Sequence, residues 1–298
     1  MNRIVMSGAS GLIGSALAAF LEAHERKVTR LVRRSPTAPN EARWDPMASI
    51  PPQEISGFDT VIHLSGENVA GLWTAAKKQR IRESRVVSTQ NLSRALARAE
   101  KKPALFLCAS AIGYYGTRGD EVLTEESPSG SGFLAEVCHE WETATVAARE
   151  AGIRVVNLRI GIVLSRHGSA LKQMLLPFRL GMGGRIGSGR QWWSWIHIDD
   201  VVYAVWHIVR GDAIAGPVNM TAPNPVTNAE FTRTLAGVLH RPALLPIPAF
   251  ATRLAFGEFA DDGLLASARI VPNKLLALGF EFRFPELVAA LQDVIGRR

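Results

Sequence analysis

Apolar positions along this chain follow two alternating rhythms, short unbroken runs and longer stretches in which they recur at helical spacing. Residues 3–7 (RIVMS) form an apolar run, a glycine turn follows, and Leu12, Ala16, Ala19 and Phe20 then return with helical periodicity. A polar stretch at 24–27 ends that helix, and the next run, 28–32, completes a strand, helix, strand unit whose strands should pair in parallel. Further buried strands are expected at 60–64 (TVIHL), 105–109 (LFLCA) and 155–158 (VVNL). Between them lie a helix over 75–100, with Ile81, Val86, Leu92 and Leu96 inward, and a second helix over 133–149. Strands and helices that keep alternating predict an α/β fold, a doubly wound parallel sheet of Rossmann type. The rhythm changes at 169–181, which reads as helix, and at 183–189, which is glycine-rich. Helix returns at 199–210, and from about 226 the chain is mainly helical, interrupted by Pro242, Pro246 and Pro248. The expected division is a dinucleotide-binding domain over 1–168, to which 197–225 returns, and a smaller, mainly helical lobe made of 169–196 and 226–298.

Composition narrows the classes. With 298 residues, 47% hydrophobic and 20% charged, the chain can bury a sizeable core and has no segment of disordered character. The net charge of +7 could suggest nucleic acid. Yet the basic residues stand in short groups, such as Arg30, Arg33 and Arg34 or Lys77, Lys78 and Arg80, without the interleaved aromatics and glycines of an RNA-binding sheet. A polyanionic small molecule explains part of the excess more simply. Cys108 and Cys138 have no metal-ligand or redox-motif spacing, so they read as thiols of a reducing compartment, and no metal site is assigned. No run approaches the length of a membrane span and no leader precedes the first strand, so the expected setting is cytoplasmic, with neither membrane nor nucleic acid as partner.

The glycine turn carries the first chemistry. GASGLIG stands between a strand and a helix: Gly8 permits the tight turn, Gly11 lets backbone N–H groups approach a pyrophosphate, and Gly14 lets helix and strand pack closely. Gly8, Ser10, Gly11, Leu12, Ile13 and Gly14 are therefore candidate cofactor-binding residues. Folds that prefer NAD place an acid at the end of the second strand to receive the ribose hydroxyls, whereas this chain has Val32, Arg33 and Arg34 there. A guanidinium binds a 2′-phosphate through paired charge-assisted hydrogen bonds and a carboxylate repels it, so the expected cofactor is NADP(H). Arg33 is the first candidate for that contact and Arg34 the second; a solvated basic strand end is the alternative.

Over its whole length the chain resembles the extended (atypical) short-chain dehydrogenase/reductase superfamily, and within it the epimerase-like (NAD-dependent epimerase/dehydratase-like) family with its own C-terminal domain. The resemblance is carried by GASGLIG, VIHLSGEN at 61–68, SAIGYYG at 110–116, LTEESPSGSGFLAEVCHEWE at 123–142, LRIGIVLS at 158–165, LLPFRLGMGGRIGSGRQWWSWIHIDD at 175–200 and PVNMTAPNPVTNAEF at 217–231. It implies that His63, Leu64, Ser65 and Gly66 line the adenosine side of the cofactor, that Arg85 reaches its phosphates, and that Gly161 and Ile162 sit near the nicotinamide.

The resemblance also implies a catalytic serine, and a tyrosine followed four residues later by a lysine whose charge lowers the phenol pKa. Ser110 matches the serine. Phe133 or Leu134 stands where the phenol should be, and Val137 or Cys138 where the ammonium should be. Tyr115 is the candidate substitute acid, with Tyr114, His197 and Glu67 as weaker alternatives. His197 is expected to brace a loop and Asp199 to cap a helix. Trp192, Trp193 and Trp195, with Phe178, form either a floor over the nicotinamide or a core contact between lobes; Arg185 and Arg190 could hold an anionic substrate. The expected function is an NADP(H)-dependent oxidoreductase or epimerase acting by hydride transfer on an unidentified small molecule. The alternative is a catalytically silent NADPH sensor. Residues 75–100 and 133–150 could pair in a homodimer, or be buried within one subunit.

Overall fold

The computed structural model describes residues 3–296. Along the chain, β1 (Arg3–Ser7), α1 (Leu12–Ala23), β2 (Lys27–Val32) and β3 (Glu41–Arg43) precede α2 (Pro52–Ile55), β4 (Thr60–His63), α3 (Ala75–Arg98) and β5 (Leu105–Ala111). A short 3₁₀ turn (Ile112–Tyr115) and β6 (Val122–Leu123) lead to α4 (Phe133–Thr143), α5 (Val146–Glu150), β7 (Arg154–Ile160) and β8 (Ile162–Leu164). Then come α6 (Ser169–Arg179), β9 (Trp192–Trp193), β10 (Trp195–His197), α7 (Ile198–Arg210), β11 (Gly216–Met220), β12 (Val226–Thr227) and α8 (Asn228–Leu239). The last described elements are α9 (Ala249–Phe256), a π-helical turn (Ala260–Leu264), β13 (Arg269–Ile270), α10 (Asn273–Ala277) and α11 (Leu287–Gly296).

Seven strands form one sheet in the order β11-β7-β5-β4-β1-β2-β3, every pair parallel. Its central strands are buried on both faces, which is why they read as unbroken apolar runs. One face packs against α1 and α7 through Leu17, Leu21, Val201 and Val205; the other meets α3, α4 and α5 through Leu92, Leu96, Trp141 and Ala148. The reversal of strand order falls between β1 and β4, and the cleft opens at the carboxyl ends of those strands. A separate apolar core joins Leu171, Trp193, Trp195, Phe231, Leu235 and Leu291, so α6, α8 and α11 form a second layer beside the sheet domain.

Local details depart from the sequence pattern for identifiable reasons. The buried face of α1 is Gly14, Leu17, Ala18 and Leu21, while Ala19 is exposed and Phe20 packs edge-on against Tyr203 and Trp206. Gly14 sets this phase, because a Cβ there would lie 2.1 Å from the Gly8 carbonyl oxygen and only a bare backbone can approach so closely. The expected helix over 133–149 is broken between α4 and α5, where Thr145 Oγ1 donates to the Glu142 carbonyl at 2.6 Å and competes with the helical ladder. On α3, Val86 is only half-buried, and the small polar residues Ser88, Thr89 and Ser93 complete the inner face.

Candidate functional site

The cleft is built from strand ends upward. β1 runs into Gly8, whose φ of +71° is open to glycine, and a Cβ there would sit 2.7 Å from the Leu64 carbonyl carbon. The glycine therefore lets the β1 and β4 ends close together beneath the cleft. Helix α1 begins at Gly11 with no side-chain cap and no acid in its first turn, which leaves its first N–H groups and the positive end of its dipole available to an anion. The cleft of about 670 Å³ is lined by Gly8, Ser10 and Gly11 from this turn, Val32, Arg33 and Arg34 from the end of β2, and Leu64, Ser65 and Gly66 from the end of β4. Leu12 lines an adjoining hollow on the other side of α1, whereas Ile13 and Gly14 pack inward. The donor set and the glycine cradle fit a dinucleotide.

The two arginines differ. Arg34 is held by Glu41 in a two-pronged ion pair, Nη1 to Oε2 at 2.9 Å and Nη2 to Oε1 at 2.6 Å, and it also donates to Ser35 and Thr37. Hydrogen bonds from Arg34 and from the Thr37 backbone N–H hold the Glu41 carboxyl down at about 2. Arg33 is exposed, lines the cleft, and makes no hydrogen bond or ion pair among the described residues. The free guanidinium at the β2 end is thus Arg33, and Glu41, the acid that β3 brings to this end of the cleft, is already paired with Arg34.

Other expected cofactor residues lie beneath or away from the cleft. His63 is fully buried, within hydrogen-bond reach of Ser7 Oγ (2.6 Å) and Ser88 Oγ (3.2 Å), and burial lowers its pKa to about 3. It braces the strand ends as a neutral ring rather than lining the cleft. Arg85 donates to the Ile81 and Glu67 carbonyls at 3.1 and 2.9 Å and lies under Gly66, so it supports the cleft floor rather than reaching toward phosphates. Gly161 is packed against the Ser194 carbonyl, and Ile162 pairs with Trp195, which places both in strand packing.

The expected catalytic pair needs correction. Tyr115 is 0% exposed: its hydroxyl accepts from Arg159 Nη1 at 2.9 Å, with Asn219 Oδ1 at 2.6 Å and the Thr124 carbonyl at 2.9 Å as acceptors for its own proton. Burial pushes its pKa up to about 12. Ser110, 2% exposed, donates to Glu142 Oε1 at 2.7 Å, and Glu142 also pairs with Arg159 through bonds of 2.8 and 2.9 Å. Ser110, Glu142, Arg159, Tyr115 and Asn219 thus form one largely buried polar network, and both candidate hydroxyls are engaged within it and are not among the residues lining the cleft. Leu134 and Cys138 face the 3₁₀ turn at Gly113, and burial raises the Cys138 thiol to about 12.

The Trp cluster resolves as core: Trp193 and Trp195 are buried with Phe178 and Phe231, while the Trp192 indole donates to Asp120 at 2.8 Å. Arg185 donates to the Gly187 and Ser188 carbonyls of its own loop. The cap of α7 is His197 rather than Asp199, since His197 Nδ1 accepts from the Asp199 backbone N–H at 3.1 Å; its Nε2 faces Asp293 at 3.1 Å, so both ring nitrogens are engaged. Sequence reasoning missed Glu41 and Trp44, which line the cleft, and held Glu67, which also lines it, only as a weaker alternative acid. Glu67 pairs with Lys77 at 2.6 Å, and that hydrogen bond, with the charge of Lys77, lowers its pKa. Thr74 caps α3 by accepting from the Lys77 backbone N–H and so fixes where that lysine leaves the helix.

Comparison with known proteins agrees with this geometry. Residues 4–220 match the NAD dependent epimerase/dehydratase family, and residues 247–294 match a domain of unknown function, DUF1731. The Mycobacterium bovis epimerase family protein Mb2239 is 44% identical over 290 residues, covering 97% of this chain and 96% of that protein. The crystal structure of human epimerase family protein SDR39U1 (isoform 2) with NADPH superposes with a TM-score of 0.90 at 32% identity, over 99% of this chain and 100% of that one. A nucleoside-diphosphate sugar epimerase from Corynebacterium glutamicum gives 0.83 at 37% identity, over 99% of this chain but 59% of its own. With more than half its length matched and the cleft in the expected place, the chain belongs to the NAD dependent epimerase/dehydratase family.

Proposed function

We propose that this protein binds NADP(H) in the cleft at the β1, β2 and β4 ends and acts as an oxidoreductase or epimerase on a small carbonyl or hydroxyl compound. The observation that carries the reading is the state of Arg33, a guanidinium on the cleft with no protein partner among the described residues, beside an acid that Arg34 already neutralises. Such a group meets the 2′-phosphate through paired hydrogen bonds. The NADPH held by the human relative supports the same choice.

In this reading the N–H groups at the start of α1 hold the pyrophosphate, and Gly8 and Gly66 keep the path along the strand ends open. The nicotinamide supplies the hydride chemistry when bound. Because Tyr115 and Ser110 are sealed away, the proton falls to the Lys77 and Glu67 pair, whose carboxylate lines the cleft and stays ionised beside the lysine ammonium. The burial of Tyr115 also favours a second reading, a protein that holds the cofactor without turning it over.

The discriminating experiment mixes the NADPH-loaded protein with a panel of small aldehydes and ketones and follows the nicotinamide absorbance. We expect oxidation with at least one compound, and loss of turnover with unchanged NADPH affinity in Lys77→Met. Tight NADPH binding with no oxidation by any compound selects the second reading.

A further inference from the structure

Large apolar side chains that stay in water gather on two stretches of this chain. At the end of α6, Leu176 and Leu180 are exposed and four residues apart, so they share one face, and exposed Met182 follows them. In the second stretch Leu244 is 83% exposed and Leu245 and Ile247 also reach solvent, while α9 carries Phe250 and Leu254, again four apart, at 72% and 84%. The two stretches adjoin. Arg241 Nε donates to the Arg179 carbonyl at 3.0 Å, the Ile247 N–H to the Arg185 carbonyl at 2.8 Å, and the Gly187 N–H to the Ile247 carbonyl at 2.8 Å. They therefore form one apolar band on the second layer. Exposed apolar residues standing singly need no explanation, but a band of this extent marks a contact surface.

Charge around the band is one-sided. No Asp or Glu occurs in 151–198 or in 231–257, the segments that carry it. Lys172 and Arg179 are exposed on α6, and Arg185 and Arg241 on the adjoining segments. Among the described residues Lys172 and Arg179 make no ion pair. Just past α9, Glu258 and Asp261 are already paired with Lys78 and Arg253, and Asp262 accepts from the Leu134 backbone N–H at 3.3 Å.

We infer that this band docks on a bilayer surface carrying anionic headgroups, with Leu244, Phe250 and Leu254 entering the headgroup layer and the surrounding cations meeting lipid phosphates. The inference is independent of the cofactor reading. A second copy of the chain fits poorly, since a two-fold contact would set these cations against themselves with no carboxylate between them. Spread along two segments and standing proud of the surface, the apolar side chains lack the single packed centre of a protein interface and suit a fluid one. The expectation of no membrane partner rested on the want of a spanning run, and a surface contact needs none.

The test floats the full chain with vesicles of phosphatidylcholine alone or mixed with phosphatidylglycerol. The protein should bind the mixed vesicles, bind them less as salt is raised, and lose about tenfold or more in the double variant Phe250→Ser with Leu254→Ser, which removes two inserted side chains. Both positions are exposed, so the melting temperature should be unchanged. Should the variant not fold, hydrogen exchange on the wild type carries the result: amides of 176–182 and 244–254 should gain protection on the mixed vesicles. No binding to mixed vesicles, equal binding to neutral ones, undiminished binding by the folded double variant, or no gain of protection in those stretches overturns the proposal. Dimers of the vesicle-free protein that the double variant abolishes also overturn it and assign the band to a second copy.

Discussion

Arg159 is a cation whose charge is met inside the protein rather than by solvent: its side chain is 3% exposed and that of its partner Glu142 is 12% exposed. The pair is joined by two hydrogen bonds, a third runs to Tyr115, and the ring of Tyr114 lies 3.5 Å from the guanidinium carbon. Removing one member leaves the other buried and uncompensated, so Glu142→Gln should cost about 3–5 kcal/mol in urea unfolding. Tyr115→Phe, which deletes one hydroxyl from the same network, should cost about 1–3 kcal/mol. Equal and negligible effects from both would show that the network is open to water and that Tyr115 is available after all. The serine and tyrosine were visible in the sequence, but their burial was not. Asn219, which fixes the Tyr115 hydroxyl, lies 104 residues away along the chain, and only the pairing of β5, β7 and β11 brings the two together.

Among the elements, β3 matters most to the site and was least readable. It is three residues long, EAR, without an apolar run, and exists because Arg30, Leu31 and Val32 offer a free strand edge to Glu41, Ala42 and Arg43. Its pairing places Glu41 against Arg34 and Trp44 on the lining of the cleft, which is why both residues escaped sequence reasoning. The pair gives this edge a pH dependence of definite sign. Hydrogen bonds from Arg34 and Thr37 take the Glu41 carboxyl from its ordinary value of 4.5 down to about 2, so the ion pair stabilises the folded state above pH 4.5. That stabilisation is lost as pH falls toward 2. The melting-temperature difference between wild type and Glu41→Gln should be positive near neutrality and shrink steadily between pH 4.5 and 2; a difference independent of pH would show that the pair does not hold the edge. The alternating strands and helices around β3 were legible because parallel strands buried on both faces leave unbroken apolar runs. The phase of α1 was not, since it is set by the contact of Gly14 with Gly8 rather than by the helix's own apolar spacing.

At the scale of the whole molecule, a parallel sheet gathers the ends of β1, β2 and β4 at one cleft, and a second core built from α6, α8 and α11 lies beside it. Among the described residues, no helix is long and apolar enough to cross a membrane. The glycine turn could be recognised in the sequence because strand, glycines and helix follow one another locally. The Arg33 and Arg34 pair was equally visible, but which of them is free depends on a carboxylate delivered by β3. Cofactor choice therefore emerges from the assembled strand ends and is best measured on the intact chain, as the ratio of NADH to NADPH dissociation constants in wild type and Arg33→Ala. The account predicts a wild-type preference for NADPH of about tenfold or more, the value of charge-assisted hydrogen bonds to one phosphate, falling close to unity in Arg33→Ala with NADH affinity unchanged. Equal wild-type affinities, or a preference that survives the loss of Arg33, would contradict it.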